Sequence, residues 1–209
     1  MTLTLLFARH GETHHNVLRR LSTAPPGPPL NATGRLQAEQ LAERVTGPVD
    51  ALYSSGMTRA VETARIVGTP RGLTVHVDDD LRELSAGELD GGTDDATFDR
   101  LGRVWDSWVV DGDLETRVAA GGETGAEVLK RFGEALRRIG AAGHSRVLVI
   151  AHGGVIQLGL PALCTNLAAD HGRRTPLPNC ETAEVVVEDG RMRCVSWGGV
   201  PVGAKAVGR

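Results

Sequence analysis

The sequence predicts an α/β protein built on a mostly parallel sheet with helices on both faces. Two observations point there. The apolar runs Leu3–Ala8 and Val147–Ala151 are continuous rather than alternating, as in strands buried on both faces. Between such runs lie stripes of helical period, and strands alternating with helices imply parallel pairing through crossovers. A third observation concerns where the strands stop. Each of the two runs gives way to histidine and glycine, His10-Gly11 and His152-Gly153-Gly154.

In chain order, Leu3–Ala8 is the first strand. Residues 22–30, STAPPGPPL, read as a rigid surface loop. Thr33 is placed to cap a helix, because Ala38, Leu41, Ala42 and Val45 follow at i, i+3, i+4 and i+7. Ala51–Ser54 is a second strand, and Met57, Ala60, Val61, Ala64 and Val67 mark a second helix. Leu73–Val77 reads as a third strand running into Asp78-Asp79-Asp80, a solvated turn rather than a metal site. Residues 85–95 read as loop, and Phe98, Leu101, Trp105 and Trp108 share a helical face, with the tryptophans in the core. Gly121-Gly122 precedes a helix over about 124–141. Val147–Ala151 and a helix over Val155–Leu163 come next, and Glu184–Glu188 and Met192–Trp197 flank the hairpin signal Asp189-Gly190.

Bulk properties narrow the function. A chain of 209 residues fits one domain, 1–209, and buries roughly 70% of its unfolded surface. A net charge of −3 supplies no field toward nucleic acid or a membrane surface. The basic side is arginine-rich, with lysine only at Lys130 and Lys205, a bias of composition rather than a phosphate signal. Cys164, Cys180 and Cys194 are odd in number and form no CxxC, which argues against a disulfide framework or zinc cluster and for a reducing compartment. The opening MTLTLLFARH lacks the form of a signal peptide, and no apolar run approaches the ~20 residues of a membrane span. The expected location is the cytoplasm.

Ligands of open parallel sheets bind outside the carboxyl ends of the strands. His10 and His152, more than 140 positions apart, therefore face one crevice. Guanidinium forks match phosphoryl oxygens, and Arg9 and Arg59 supply two of them. A neutral imidazole is a competent nucleophile near pH 7. Attack by His10 on phosphorus, with Arg9, Arg59 and His152 meeting the developing charge, is the chemistry this set suits. A carboxyl group must then move the proton of the leaving oxygen, and Glu12, Glu83, Glu88 and Glu123 are candidates by position.

These residues also carry a resemblance. ARHGETHHN resembles the RHG signature of the histidine phosphatase superfamily, the phosphoglycerate mutase-like family. PLNATGRLQAEQLA, YSSGMTRAVETA, LRELSAGELDG, GGET and VLVIAHGG resemble its further motifs, in the family's order. The resemblance implies a three-layer α/β/α sandwich. It implies His10 as the phosphorylated nucleophile, Glu83 as the proton donor, and Arg9, Arg59 and His152 around the phosphate. Asn16 and Thr13 match pocket positions, and Gly153 is a candidate for backbone contacts. The family uses no metal, and no cofactor is expected for this chain. Two departures stand out: GPPL replaces the aspartate that the mutase branch usually carries before PL, and only 37 residues separate Glu83 from Gly121, where mutases have a longer insertion. His14 and His15 read as loop residues.

The sequence thus predicts a metal-independent phosphatase acting on a small phosphorylated metabolite, with no nucleic-acid or membrane partner, as a monomer or homodimer. A phosphoglycerate mutase uses the same residues and is the second reading. A non-catalytic phospho-ligand binding or regulatory protein is the third.

Overall fold

The parallel half of the sheet comprises β1 (Leu3–Arg9), β2 (Ala51–Ser54), β3 (Val75–Val77) and β4 (Arg146–Ala151). Beyond β1 the chain adds an antiparallel extension of β5 (Thr182–Glu188), β6 (Arg191–Trp197) and β7 (Val200–Pro201). The order across the seven strands is β3-β2-β4-β1-β5-β6-β7. The computed structural model describes residues 2–203; Met1 and residues 204–209, which the single-domain expectation includes, lie outside them.

Side chains alternate across a strand, so a continuous apolar run feeds two cores. Leu6 and Ala8 of β1 and Leu148 and Ile150 of β4 meet α2 (Ala32–Arg44) and α3 (Thr58–Gly68). Leu5, Phe7, Val147 and Val149 point the other way, toward α4 (Asp95–Asp106), α5 (Gly125–Ala141) and α6 (Gly153–Leu163). There the Phe7 and Phe132 rings lie 5.9 Å apart. Burial of each such large side chain stabilises the fold by about 1.5–3 kcal/mol. The result is the three-layer arrangement.

Several boundaries differ from the sequence expectation. The cap of α2 is Asn31, not Thr33: its side chain accepts from the Gly34 amide at 2.7 Å, and Thr33 lies inside the helix. β3 covers only Val75–Val77, because the short edge strand pairs on one side alone, with β2. His14 and His15 open a short helix, α1 (His14–Val17), which Thr13 caps. A π-helical turn, Ser107–Asp111, prolongs α4 and takes Trp108 out of the α4 register. α6 starts two residues early, at Gly153, and α7 (His171–Arg174) and β7 had no periodic signal. The Asp189-Gly190 hairpin is present, with φ of 50° and 75° at its two residues. Asp78 and Asp80 share Arg138 at 2.8 and 2.6 Å, so two of the three aspartates are held in an ion-paired turn. No helix among the described residues is long and apolar enough to cross a membrane.

Candidate active site

Strand register brings the site together. β1 and β4 pair in parallel with Arg9 opposite Ala151, and β2 pairs with β4 so that Ser54 is opposite Ile150. The next residue of each strand therefore emerges at one edge: His10, His152 and Ser55. The His10 amide still bonds the Ala151 carbonyl at 3.0 Å, and the two imidazole centroids stand 5.1 Å apart.

His10 is held in one tautomer. Its Nδ1 lies 2.7 Å from the Gly11 carbonyl, an acceptor, so Nδ1 carries the proton and Nε2 keeps its lone pair. That lone pair accepts from Arg59 Nε at 2.9 Å. Burial first, then the Arg59 and Arg9 charges, keep the imidazole neutral well below the ordinary histidine range. His152 is fully buried behind it and is likewise kept neutral by burial, then by Arg59 and His10. Its Nε2 is 2.6 Å from Ser55 Oγ, and its Nδ1 has no protein partner.

The guanidinia are anchored from behind. Arg9 Nη1 donates to the Leu177 carbonyl at 2.9 Å, and Arg59 Nη2 to the Ser22 carbonyl at 3.1 Å. Burial lowers the Arg59 pKa to about 10, partly offset by Glu83, so the side chain is cationic at pH 7. Arg9 Nε and Arg59 Nη1 are buried without partners, an arrangement that an anionic ligand would relieve.

Glu83 reaches the same edge from the loop after β3. Its Oε2 accepts from the Gly154 amide at 3.0 Å, and its Oε1 from the Val155 and Leu84 amides at 3.0 and 2.9 Å. The carboxylate thus sits on the N-terminus of α6. Gly154 is required there, since a Cβ would stand 2.6 Å from Glu83 Oε1. Of the other acids, Glu123 is tied to Arg131, Glu88 pairs with Arg100 in solvent, and Glu12 accepts from Asn31.

These groups line a cavity of about 450 Å³. Arg9, His10, Thr13, Asn16, Arg59 and Glu83 all reach it. His152 does not, being covered by its neighbours, and Gly154 rather than Gly153 forms the wall. Thr13 Oγ1 and Asn16 Oδ1 are engaged with one another at 3.1 Å in the cap of α1, which leaves the Asn16 Nδ2 to donate outward. Trp105 is buried as expected, yet it also lines the cavity with Phe98 and Leu101. His15, read as a loop residue, lines it too.

Asn179 was not foreseen. It donates to the His10 carbonyl at 2.8 Å and reaches the cavity. Pro178 beside it signals a turn, but nothing in the sequence ties that turn to the end of β1. The thiols take no part: burial pushes Cys164 and Cys180 up to about 12 and Cys194 to about 11.

The fold and this edge define an α/β protein that presents His10, Arg9 and Arg59 to one recess, with His152 packed behind His10. The chain belongs to the histidine phosphatase superfamily (branch 1), whose family model matches residues 5–199. It is 33% identical over 198 residues to the probable phosphoglycerate mutase GpmB of Proteus mirabilis, covering 93% of this chain and 90% of that one. It is 32% identical to the phosphoglycerate mutase-like protein 4 of Arabidopsis thaliana over 73% of this chain and 67% of that one. Among solved structures it superposes on mycobacterial glucosyl-3-phosphoglycerate phosphatase with a TM-score of 0.80 and 26% identity, over 95% and 99% of the two chains.

Proposed function

We propose that the protein is a metal-independent phosphatase that hydrolyses a small phosphomonoester through a phosphohistidine at His10. The observation that carries this reading is the His10 imidazole. Its Nδ1 proton is fixed on the Gly11 carbonyl, and its Nε2 lone pair points to a cavity flanked by two guanidinia. In the first step a phosphoryl oxygen takes the Arg59 donor from Nε2. Nε2 then bonds to phosphorus, the ester P–O bond breaks, and Glu83, entering each turnover in its acid form with the proton on Oε2, gives that proton to the departing oxygen. In the second step water attacks phospho-His10, the N–P bond breaks, and Glu83 takes a proton from the water, which restores it for the next turnover. Arg9 and Arg59 meet the charge on phosphorus, one such donor being worth ~10²–10³ in rate, while His152 backs the His10 ring from outside the cavity.

Identity to proteins named as a probable phosphoglycerate mutase and a phosphoglycerate mutase-like protein favours a second reading on the same residues. Against it stands the segment between Glu83 and Gly121, which at 37 residues is shorter than the insertion that the resemblance implies for mutases. The test is a panel of phosphomonoesters with EDTA present, run beside interconversion of phosphoglycerates under bisphosphoglycerate priming. The phosphatase reading expects hydrolysis that survives EDTA and vanishes in His10→Ala. Interconversion outpacing hydrolysis would make the protein a mutase.

A further inference from the structure

We propose that Asp90, a carboxylate outside the cavity, is a positioning residue for Arg59: it fixes the Ser22–Thr23 peptide, whose carbonyl holds the guanidinium. This rests on the phosphatase reading, in which Arg59 serves the transferred phosphoryl group.

Arg59 needs a rigid support. Its Nε donates to His10 Nε2 at 2.9 Å and its Nη2 to the Ser22 carbonyl at 3.1 Å, while Nη1 is buried without a partner. The Ser22 carbonyl belongs to the proline-rich segment 22–30, which forms no helix or strand of its own. A peptide outside any ladder is free to turn about its flanking bonds. Asp90 removes that freedom. The Ser22 carbonyl and the Thr23 N–H share one planar trans peptide, so they point in opposite directions. The N–H donates to Asp90 Oδ1, and the carbonyl accepts from Arg59. Turning the carbonyl off Arg59 would break the bond to the carboxylate as well. A charged acceptor on the N–H also polarises the carbonyl that Arg59 uses.

The same carboxylate oxygen takes two more donors, the Thr23 hydroxyl at 2.8 Å and the Ala24 amide at 3.2 Å. Thr23 is buried, and its hydroxyl accepts from the Ala86 amide at 3.0 Å. Ala86 and Asp90 follow Glu83 on one loop, so this junction ties the support of Arg59 to the segment that carries the acid. Ser22 and Thr23 line the cavity and Asp90 does not, so Asp90 acts through them rather than on a ligand. Asp90 is exposed, and its removal leaves no hole in the core. Two backbone bonds, Leu21 N–H to the Gly92 carbonyl at 2.9 Å and Gly91 N–H to the Leu21 carbonyl at 2.8 Å, still join the two loops without it.

The experiment is a double-mutant cycle read by calorimetric titration with tungstate, a tetrahedral oxyanion whose binding needs no hydrolysis, beside kcat/KM for p-nitrophenyl phosphate. Asp90→Ala is expected to weaken tungstate binding about tenfold and to lower kcat/KM by about tenfold to 10²-fold. Asp90→Asn keeps an acceptor at Oδ1 and is expected to recover most of both. In an Arg59→Gln background Asp90→Ala should cost less than about twofold in tungstate affinity, because the group it positions is gone. In an Arg9→Gln background the full cost should persist, since Arg9 is anchored on the Leu177 carbonyl instead. A full cost in the Arg59→Gln background would overturn the proposal, as would wild-type tungstate binding by Asp90→Ala or an Asp90→Asn no better than Asp90→Ala. The expected tungstate pattern with no hydrolysis of any phosphomonoester would leave Asp90 as the support of Arg59 and remove the phosphatase reading.

Discussion

Arg131 of α5 is a buried cation, 7% exposed, that holds the loop carrying Glu83. Its Nη1 donates to the Asp80 and Arg82 carbonyls at 2.8 Å each, and its Nη2 to the Glu83 carbonyl at 3.1 Å. Its Nε and Nη2 also reach the two Glu123 oxygens at 2.7 and 3.0 Å. Glu123 in turn accepts from the Ser85 amide at 2.8 Å, so both sides of Glu83 hang on this pair. Arg131→Met conserves most of the volume and removes all five bonds. Breaking a buried pair by removing one partner costs about 3–5 kcal/mol, as the other charge stays buried, and the lower end applies here because Arg82 Nη2 still reaches Glu123 at 3.0 Å. Glu123→Gln in the same background removes that charge, so the double variant should be more stable than Arg131→Met alone. Urea unfolding at pH 7 reads the stabilities. Turnover reads the site: a displacement of about 1 Å at Glu83 would cost about 10²-fold. The pH dependence has a definite sign. Burial alone would raise the Glu123 pKa, but the Arg131 bonds and charge, with the Ser85 amide and the Arg82 charge, together outweigh it and hold it below its ordinary value. The pair's contribution is therefore complete above the unfolded value of about 4.3 and is lost as the pH falls through the lower folded one. Wild type and Arg131→Met should converge in stability on acidification. An Arg131→Met variant within about 1 kcal/mol of wild type at pH 7, unimproved by Glu123→Gln, would refute the reasoning.

Three further outcomes are expected. Gly34→Ala places a Cβ 2.0 Å from the Glu12 carbonyl oxygen, so α2 must back away from the loop after His10; thermal unfolding should show a loss of about 1–3 kcal/mol and turnover should drop, whereas wild-type behaviour would show that the loop yields freely. Because burial keeps His10 and His152 neutral in the fold but not in the unfolded chain, stability should decline as the pH falls below about 6.5, while the acid limb of kcat/KM set by His10 lies lower than that; a limb at the ordinary histidine value would contradict the burial argument. Ser55→Ala removes the 2.6 Å partner that orients His152, so kcat should fall more than KM changes, and an unaltered kcat would assign Ser55 to packing alone.

Much of this was legible in the sequence for a physical reason. Leu3–Ala8 and Val147–Ala151 are buried on both faces, so their composition alone marks them as central strands, and His10 and His152 follow directly. What placed the two histidines side by side was register, a pairing across more than 140 positions that no local pattern encodes. The cap at Asn31 was misread as Thr33 because both residue types cap helices, and the apolar stripe does not fix the first turn. Asn179 and the Arg131–Glu123 pair escaped notice for the same kind of reason: each acts through backbone carbonyls of distant segments, as when Arg131 binds the Asp80, Arg82 and Glu83 carbonyls. Trp105 was read correctly as buried and incompletely as core, since a wall residue of a cavity has the same periodicity as a core residue.

The central claim is covalent chemistry at one nitrogen. The direct measurement is rapid quench of the enzyme with a radiolabelled phosphomonoester into alkali, followed by peptide mapping. The account predicts an alkali-stable, acid-labile phosphoryl group on His10, formed within one turnover and absent from His10→Ala. Label on another residue such as His15, or full turnover with no phosphoenzyme on any time scale, would contradict it.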